Sequence, residues 1–323
     1  MQMARREFLL ATSAALAAGA LADSPTQPLR FATNDDGKRL MLMEDAKPVF
    51  TYNYAPVDPP AGVDAKFRRA NYLHPLYSPG GAIITEDFPK DHFHHRGVFW
   101  AWPNCHVGER KLNIWELDGA RTVFKEFSAL ESSPERFHLQ ERSVWQFDAD
   151  QLAPVEERVG ITVSPSAHGQ RTIDFELSFA NTTQGEVSFQ GSAAAAGTAG
   201  PGPKGYGGFS FRPDATNKPF SFTAASGVVA EDKMSFDTPW ADISWGDGDK
   251  RGVMIIQHPK NPGFPHPGWI FRHYGFLGAS WPHNDTYTLK AGESFTLRYR
   301  LLVHEGDATA ANVADAAAAY IHV

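Results

Sequence analysis

The chain has 323 residues, with 30 Lys and Arg against 37 Asp and Glu, 13 His, one Cys, and 12% aromatic residues within a 42% hydrophobic total. This is a globular composition, and a net charge of −7 argues against a nucleic-acid binder, which needs a concentrated basic face. The single cysteine, Cys105, excludes an internal disulfide and any multi-cysteine zinc or iron–sulfur site.

Residues 1–22 read as a twin-arginine signal peptide. Arg5-Arg6-Glu7-Phe8-Leu9-Leu10 is followed by a mild Ala-rich apolar stretch that ends at Ala20-Leu21-Ala22, the small-x-small arrangement a signal peptidase accepts. An anchoring amphipathic helix suits so short and Ala-rich a stretch less well. Cleavage removes two Arg and one Glu and leaves a net charge of −8. The mature chain is thus expected to be periplasmic or secreted by the twin-arginine route, with no membrane span.

The chemistry concentrates between Arg68 and Asp118. Five of the 13 histidines, His74, His92, His94, His95 and His106, fall within 33 positions. If His92 to His95 is extended, His92 and His94 point to one side and His95 to the other. Such a pair can ligate one divalent metal ion together with a third group such as His106, leaving an open position for chemistry. A metal-free reading uses His74, His94 and His95 as acids, bases or polarising groups, with Arg96 holding an anion or developing oxyanion. Histidines that merely satisfy turns and neighbouring carbonyls are the third possibility. In Val98-Phe99-Trp100-Ala101-Trp102, alternation sets Phe99 against Trp100 and Trp102. Phe99 is expected in the core, while Trp100 and Trp102 could stack on a sugar ring.

Farther on, Ile173, Phe175, Leu177 and Phe179 alternate with Asp174, Glu176 and Ser178, the pattern of a half-buried strand. The Gly/Ala/Pro stretch 191–205 reads as a loop, and Arg212, after Tyr206-Gly207-Gly208, is a candidate substrate-binding residue. Gly252 to Gln257 reads as a strand buried on both faces. The turn-rich segment 258–285 offers Trp269, Arg272 and His283 as the wall of a cleft. Phe295 to Val303 alternates again, and Asp307 can cap a helix from Ala308 to Tyr320. With Gly and Pro punctuating the strands, residues 23–323 are expected to form a single domain: an all-β, large antiparallel β-sandwich with a short C-terminal helix.

Arg69-Ala70-Asn71-Tyr72-Leu73-His74-Pro75-Leu76-Tyr77, the run Asp87 to Gly97, Phe99-Trp100-Ala101-Trp102, Tyr206 to Pro213 and Trp240-x-x-x-x-Trp245 together resemble the PmoA-type family of secreted bacterial proteins. Phe93 stands where that family more often has Pro. The resemblance implies a role in carbohydrate metabolism, and the family's automated label, methane oxygenase, implies copper or redox chemistry. Arg69 with His74-Pro75-Leu76, His95-Arg96-Gly97 and Leu289-Lys290-Ala291-Gly292-Glu293 is more remotely similar to galactose-mutarotase-like sandwiches. Those epimerases carry a glutamate base before the last turn, whereas Leu277 to Asp285 contains none. The sequence therefore points first to a carbohydrate-active lyase, hydrolase or isomerase acting on a small sugar or oligosaccharide. A non-catalytic carbohydrate-binding protein is the alternative, and a copper or redox protein a further one. No G-x-S-x-G elbow, P-loop or dinucleotide fingerprint is present.

Overall fold

Alternation decides the architecture. Ile173, Phe175, Leu177 and Phe179 are the inward residues of the strand Gln170–Asn181. Its antiparallel neighbour, Ser294–Glu305, places Tyr299 opposite Phe175 and Leu297 opposite Leu177. On the outer face of the same pair Arg300 forks onto Asp174 at 2.6 and 2.7 Å, and Arg298 reaches Glu176 at 2.8 Å. The structure, a computed structural model, describes residues 30–193 and 203–322; the signal segment 1–22 and most of the loop expected at 191–205 lie outside them.

The described residues form an eight-stranded, a nine-stranded and a four-stranded sheet, and all the strand pairings are antiparallel. The eight-stranded sheet runs Phe31–Asp35, Arg39–Glu44, Lys47–Asn53, Tyr72–Leu76, Val98–Ala101, Gly208–Phe211, Phe276–Ala279 and Trp269–Arg272. Its inward side chains meet those of the nine-stranded sheet in one contiguous apolar cluster from Phe31 to Val303, the sandwich core. No helix among the described residues is long and apolar enough to cross a membrane.

The strand Arg251–Gln257 is buried on both faces because two partners flank it. Val253 and Ile255 face the sandwich core, while Met254 and Ile256 pack against Val313 and Ala317 of the C-terminal helix. That helix is shorter than expected, Val313–Ile321. Asn312, at φ +50°, interrupts the path, and Asp307 caps a preceding turn by accepting the Ala310 N–H at 3.0 Å.

Cross-strand register fixes which residues share the outer face of the eight-stranded sheet. Arg39 lies opposite Asn53, Asn53 opposite Tyr72, Tyr72 opposite Phe99, Phe99 opposite Ser210, and Ser210 opposite Gly278. Phe276 faces Arg272 one step along. The other face therefore belongs to Trp100 and Phe209. Trp102 is wholly buried, its Nε1 donating to the Trp281 carbonyl at 2.5 Å, with the rings of Trp145 and Phe179 at 5.7 and 5.0 Å. Trp100 donates to Glu157 from within the core. The tryptophans alone depart from expectation: Phe99 is fully buried beneath the outer, histidine-bearing face, in keeping with a core role, and Trp100 and Trp102 are core as well.

A buried polar knot lies where the strands Phe137–Phe147 and Val155–Val163 meet Asn71. The Asn71 amide donates to Glu141 Oε1 at 2.8 Å, Ser143 Oγ at 3.0 Å and Glu157 Oε2 at 3.4 Å, and Trp145 Nε1 donates to Glu157 Oε2 at 2.8 Å. Both carboxyl groups are enclosed, at 0% and 1% exposure. Burial, reinforced by Glu157, pushes Glu141 up to about 8, and burial pushes Glu157 up to about 7 against the indole hydrogen bonds. One shared Asn71 amide between two carboxyls favours a pair carrying a proton over two bare charges.

Two outcomes follow from these interiors. Trp102→Ala is expected to lower the free energy of unfolding by about 3–5 kcal/mol in urea titrations, through the cavity it leaves. For the carboxyl pair, both folded values lie above the ordinary carboxylate value. The folded chain therefore keeps protons that the unfolded chain releases once the pH passes 4.5. The stabilising contribution is complete below that pH and is lost as the pH climbs through about 8. Glu141→Gln should melt above wild type near pH ~9 and lose that advantage near pH ~5; an equal difference at both would contradict the shared proton.

Candidate functional site

Residues 92–95 are a turn, not an extended segment. His92 N–H donates to the Pro89 carbonyl at 3.0 Å and His95 N–H to the His92 carbonyl at 2.9 Å. Pro89 favours chain reversal, and Gly97, at φ +30°, lets the chain rejoin the sheet where any Cβ would collide with the Leu73 carbonyl. The expected side-to-side split is thereby overturned. His92 and His95 stack with centroids 4.6 Å apart and planes within 3°, and His94 meets their edges at 5.6 and 4.6 Å. Trp115 closes one flank, 5.9 Å from His94 and 5.7 Å from His95, and Phe276 and Phe99 lie beneath His95 at 4.9 and 5.8 Å.

Arg96 holds this turn in place. Its side chain is completely buried; it pairs with Asp87, donates to the Tyr72 hydroxyl and to the Phe67 carbonyl, and lies 3.5 Å from the Phe88 ring centre. Every nitrogen of the guanidinium is committed, so the expectation that Arg96 touches substrate is replaced by an anchoring role. Arg69 does similar work for Trp115, donating to the carbonyls of Ile114 at 2.9 Å and Trp115 at 2.6 Å.

The far flank comes from strands remote in sequence. His92 stacks on Tyr274 at 5.2 Å, and the guanidinium groups of Arg212 and Arg272 lie 5.2 and 5.1 Å from the same ring. Arg272 Nη1 donates to Tyr206 Oη at 2.9 Å, and Tyr206 packs 6.0 Å from Trp115, closing the ring of aromatic walls. Arg212 donates to Asp91 at 2.7 Å and to Glu86 at 3.4 Å. Asp232 receives the backbone N–H of His273 at 2.8 Å and pairs with Arg272 at 2.8 Å. His92, Asp91, Arg272, His273 and Asp232 are the partly exposed members of the assembly, and His95 and Arg212 are its buried floor.

Desolvation governs the protonation states. It lowers His94 to about 3, aided by the positive charge of Arg69, and holds His95 well below its ordinary value with the neighbouring imidazoles adding to the effect. Both rings are neutral at physiological pH. Burial raises Tyr274 and Tyr206, so both are phenols. Burial alone would raise Asp91 and Asp232, but hydrogen bonds from His92 and Arg212, and from His273, hold them below the usual carboxylate range. The assembly thus offers neutral imidazoles and phenols beneath a rim of paired charges. That set can pass a proton to or from a bound neutral ligand, or stabilise an oxyanion.

Of the residues singled out from sequence, His92, His94, His95, Arg212 and Arg272 come together here. His283 borders the group: its Nε2 donates to the Met234 carbonyl at 2.6 Å, and the Met234 sulfur lies 4.0 Å from Arg272 Nη1. Trp269 does not line a cleft; it is fully buried, donating to the Thr238 carbonyl at 2.6 Å. Trp100 and Trp102, as core residues, present no stacking surface to solvent. His74 faces a different cleft, with Nδ1 on Thr85 Oγ1 at 3.0 Å. His106 belongs to the four-stranded sheet, across from Ser188 and Lys111, and lines another cleft of about 710 Å³. His92, His94 and His106 therefore do not form a ligand set, and no group of three or more His, Cys, Asp or Glu among the described residues is placed to hold a metal. Trp115, Tyr206, Tyr274 and Asp232 were not predicted. Tyr274 directly follows Arg272-His273, whereas Asp232 sits in an ordinary charged turn with no signal of its own.

The profile of a family described as being of unknown function, DUF6807, matches residues 39–318. The PmoA-type resemblance finds no support in that match. No curated protein shows significant similarity to the chain. Among solved structures, the heparan sulfate lyase HepC of Pedobacter heparinus, in a mutant form, aligns at 8% identity and a TM-score of 0.40. That alignment covers 86% of this chain and 35% of the lyase, so the chain spans about a third of its length. The Slr1438 protein of Synechocystis sp. PCC 6803 aligns at 11% identity and a TM-score of 0.40, covering 89% and 99% of the two chains. A GalM/aldose epimerase homologue from C. elegans aligns at 8% identity and a TM-score of 0.30, covering 85% and 99%. Likenesses this distant carry no argument about activity.

Proposed function

The chain belongs to DUF6807, a family of unknown function, and we therefore propose from the geometry that it is a carbohydrate-active enzyme moving protons on a sugar bound over the histidine turn. One observation carries the reading: neutral His94 stands between the Trp115 ring and the stacked His92–His95 pair, within an assembly whose rim is Arg272, Asp232 and Asp91. A sugar presents an apolar C–H face and a rim of hydroxyls, and the half-buried rings of His92, His94, Tyr206 and Tyr274 beside ion-paired carboxylates and guanidinium groups answer both. In this reading His94 accepts the proton, and Tyr274 or Tyr206, each a phenol, supplies one to the departing or developing oxygen. Arg212 and Arg272 steady the negative charge that develops. A lyase, a hydrolase and an isomerase all draw on that same proton traffic. The twin-arginine pattern at Arg5-Arg6 supports export of the protein, and residues 23–323 are read as its single domain.

One observation favours a second reading, a non-catalytic carbohydrate-binding protein. An imidazole depressed to about 3 is a weak base until a ligand changes its surroundings. Turnover of a panel of glycosides and uronides separates the two. The enzyme reading predicts product from at least one member, with the rate falling about 100-fold or more in His94→Ala while ligand affinity changes only a few-fold. Retention of a glycan by wild type and His94→Ala alike, with no product from any member, would establish the binding protein instead.

A further inference from the structure

A cleft opens on the same outer sheet face, beyond the Arg96–Asp87 pair. It has a volume of about 510 Å³ and lies over the strands Arg39–Glu44, Lys47–Asn53 and Tyr72–Leu76. We propose that this cleft is a separate binding site for a neutral sugar or polyol, distinct from the histidine turn.

The charges lining the cleft are already neutralised from within the protein. Arg39 forks onto Asp36 at 2.8 and 3.0 Å, and Asp87 receives Arg96 from behind and the Tyr72 hydroxyl at 3.2 Å. No unpaired charge among these groups calls for a phosphate or a cation. What remains is a mixed set of hydrogen-bonding groups. Thr85 Oγ1 accepts the Leu76 N–H and is also hydrogen-bonded to His74 Nδ1, each at 3.0 Å. Burial lowers His74, which keeps the ring neutral, and its second nitrogen, Nε2, is left as a further hydrogen-bonding group. Asn53 spends its amide on the His74 carbonyl at 2.7 Å and keeps its side-chain carbonyl as an acceptor. The Thr51 hydroxyl has no hydrogen-bond partner among the described residues, and the Asp87 carboxylate is partly exposed. Met41 and Pro75 supply apolar surface beside these groups.

Alternating donors and acceptors next to a small apolar surface, with no net charge, match a pyranose or polyol and disfavour an anion. The volume is within the range of small-molecule sites, and the floor is built from strands and not from mobile loops.

Saturation-transfer NMR and calorimetric titration of the full chain would test this, using D-glucose, D-galactose, D-mannose, D-xylose and L-rhamnose, with D-glucuronate and inorganic phosphate as charged probes. Thr51→Trp fills the floor of the cleft, and Met41→Trp fills it from a partly exposed position in case the first variant folds poorly. His94→Ala reports on the histidine turn alone. At least one neutral sugar should bind saturably, weaken about tenfold or more in either filling variant with an unchanged melting temperature, and bind normally to His94→Ala. Binding that survives both filling variants and disappears in His94→Ala would overturn the second site and leave the proposed function of the histidine turn standing. Absence of any neutral-sugar binding, or preference for glucuronate or phosphate, would overturn it equally. Turnover lost in His94→Ala with cleft binding intact would separate this inference from the activity proposed at the histidine turn.

Discussion

The pairing of the buried Arg96 with Asp87 is the constraint on which the outer face of the eight-stranded sheet depends. A fully enclosed guanidinium is costly unless each nitrogen is matched, and here a carboxylate, a hydroxyl and a backbone carbonyl match it. By taking its partners from Phe67, Tyr72 and Asp87, Arg96 pins the 84–97 segment across the sheet. On one side of that seam the chain turns at His92–His95 and presses three imidazoles against Trp115 and Tyr274. On the other, Asp87 and His74 form the edge of the second cleft. One ion pair thus both separates and orients the histidine turn and the polar cleft on a single face.

A second buried charge links the face to the interior. Arg69 is enclosed, and burial together with the positive charge of Arg96 lowers it to about 9, while Glu157 acts in the opposite sense. Its guanidinium holds the carbonyls of Ile114 and Trp115 and so fixes the ring that flanks His94. Beneath it, the Glu141–Glu157 pair shares the Asn71 amide, and the positive charge of Arg69 draws Glu157 down against its burial. The arginine that fixes Trp115 thus also bears on the protonation of the core.

The strands were legible because each is long enough to show its period: Ile173 to Phe179 and Phe295 to Val303 alternate over seven residues or more. The histidine turn was not, since four residues cannot distinguish a strand from a turn, and the deciding contact, Gly97 under the Leu73 carbonyl, is tertiary. Trp100 and Trp102 read as a sugar platform because they neighbour histidines in sequence, yet strand geometry sends them to the opposite face from Phe99. The inward carboxyls did leave a trace. Glu141 is in phase with Phe137, Leu139 and Trp145, and Glu157 with Val155 and Val159, so alternation marks both as core positions. Tyr206, Asp232 and Tyr274 reach the site only through the order of strands in the sheet, which periodicity does not encode.

The turn holds desolvated, neutral imidazoles, and the proposed sugar chemistry depends on that state. Titration of the His92, His94 and His95 ring resonances by NMR in the full chain reads it without recourse to a substrate. His94 and His95 should remain neutral as the pH falls well below 6.5, the value of an unperturbed imidazole, with His94 taking up its proton only near 3. Titration of both rings at the unperturbed value would contradict it.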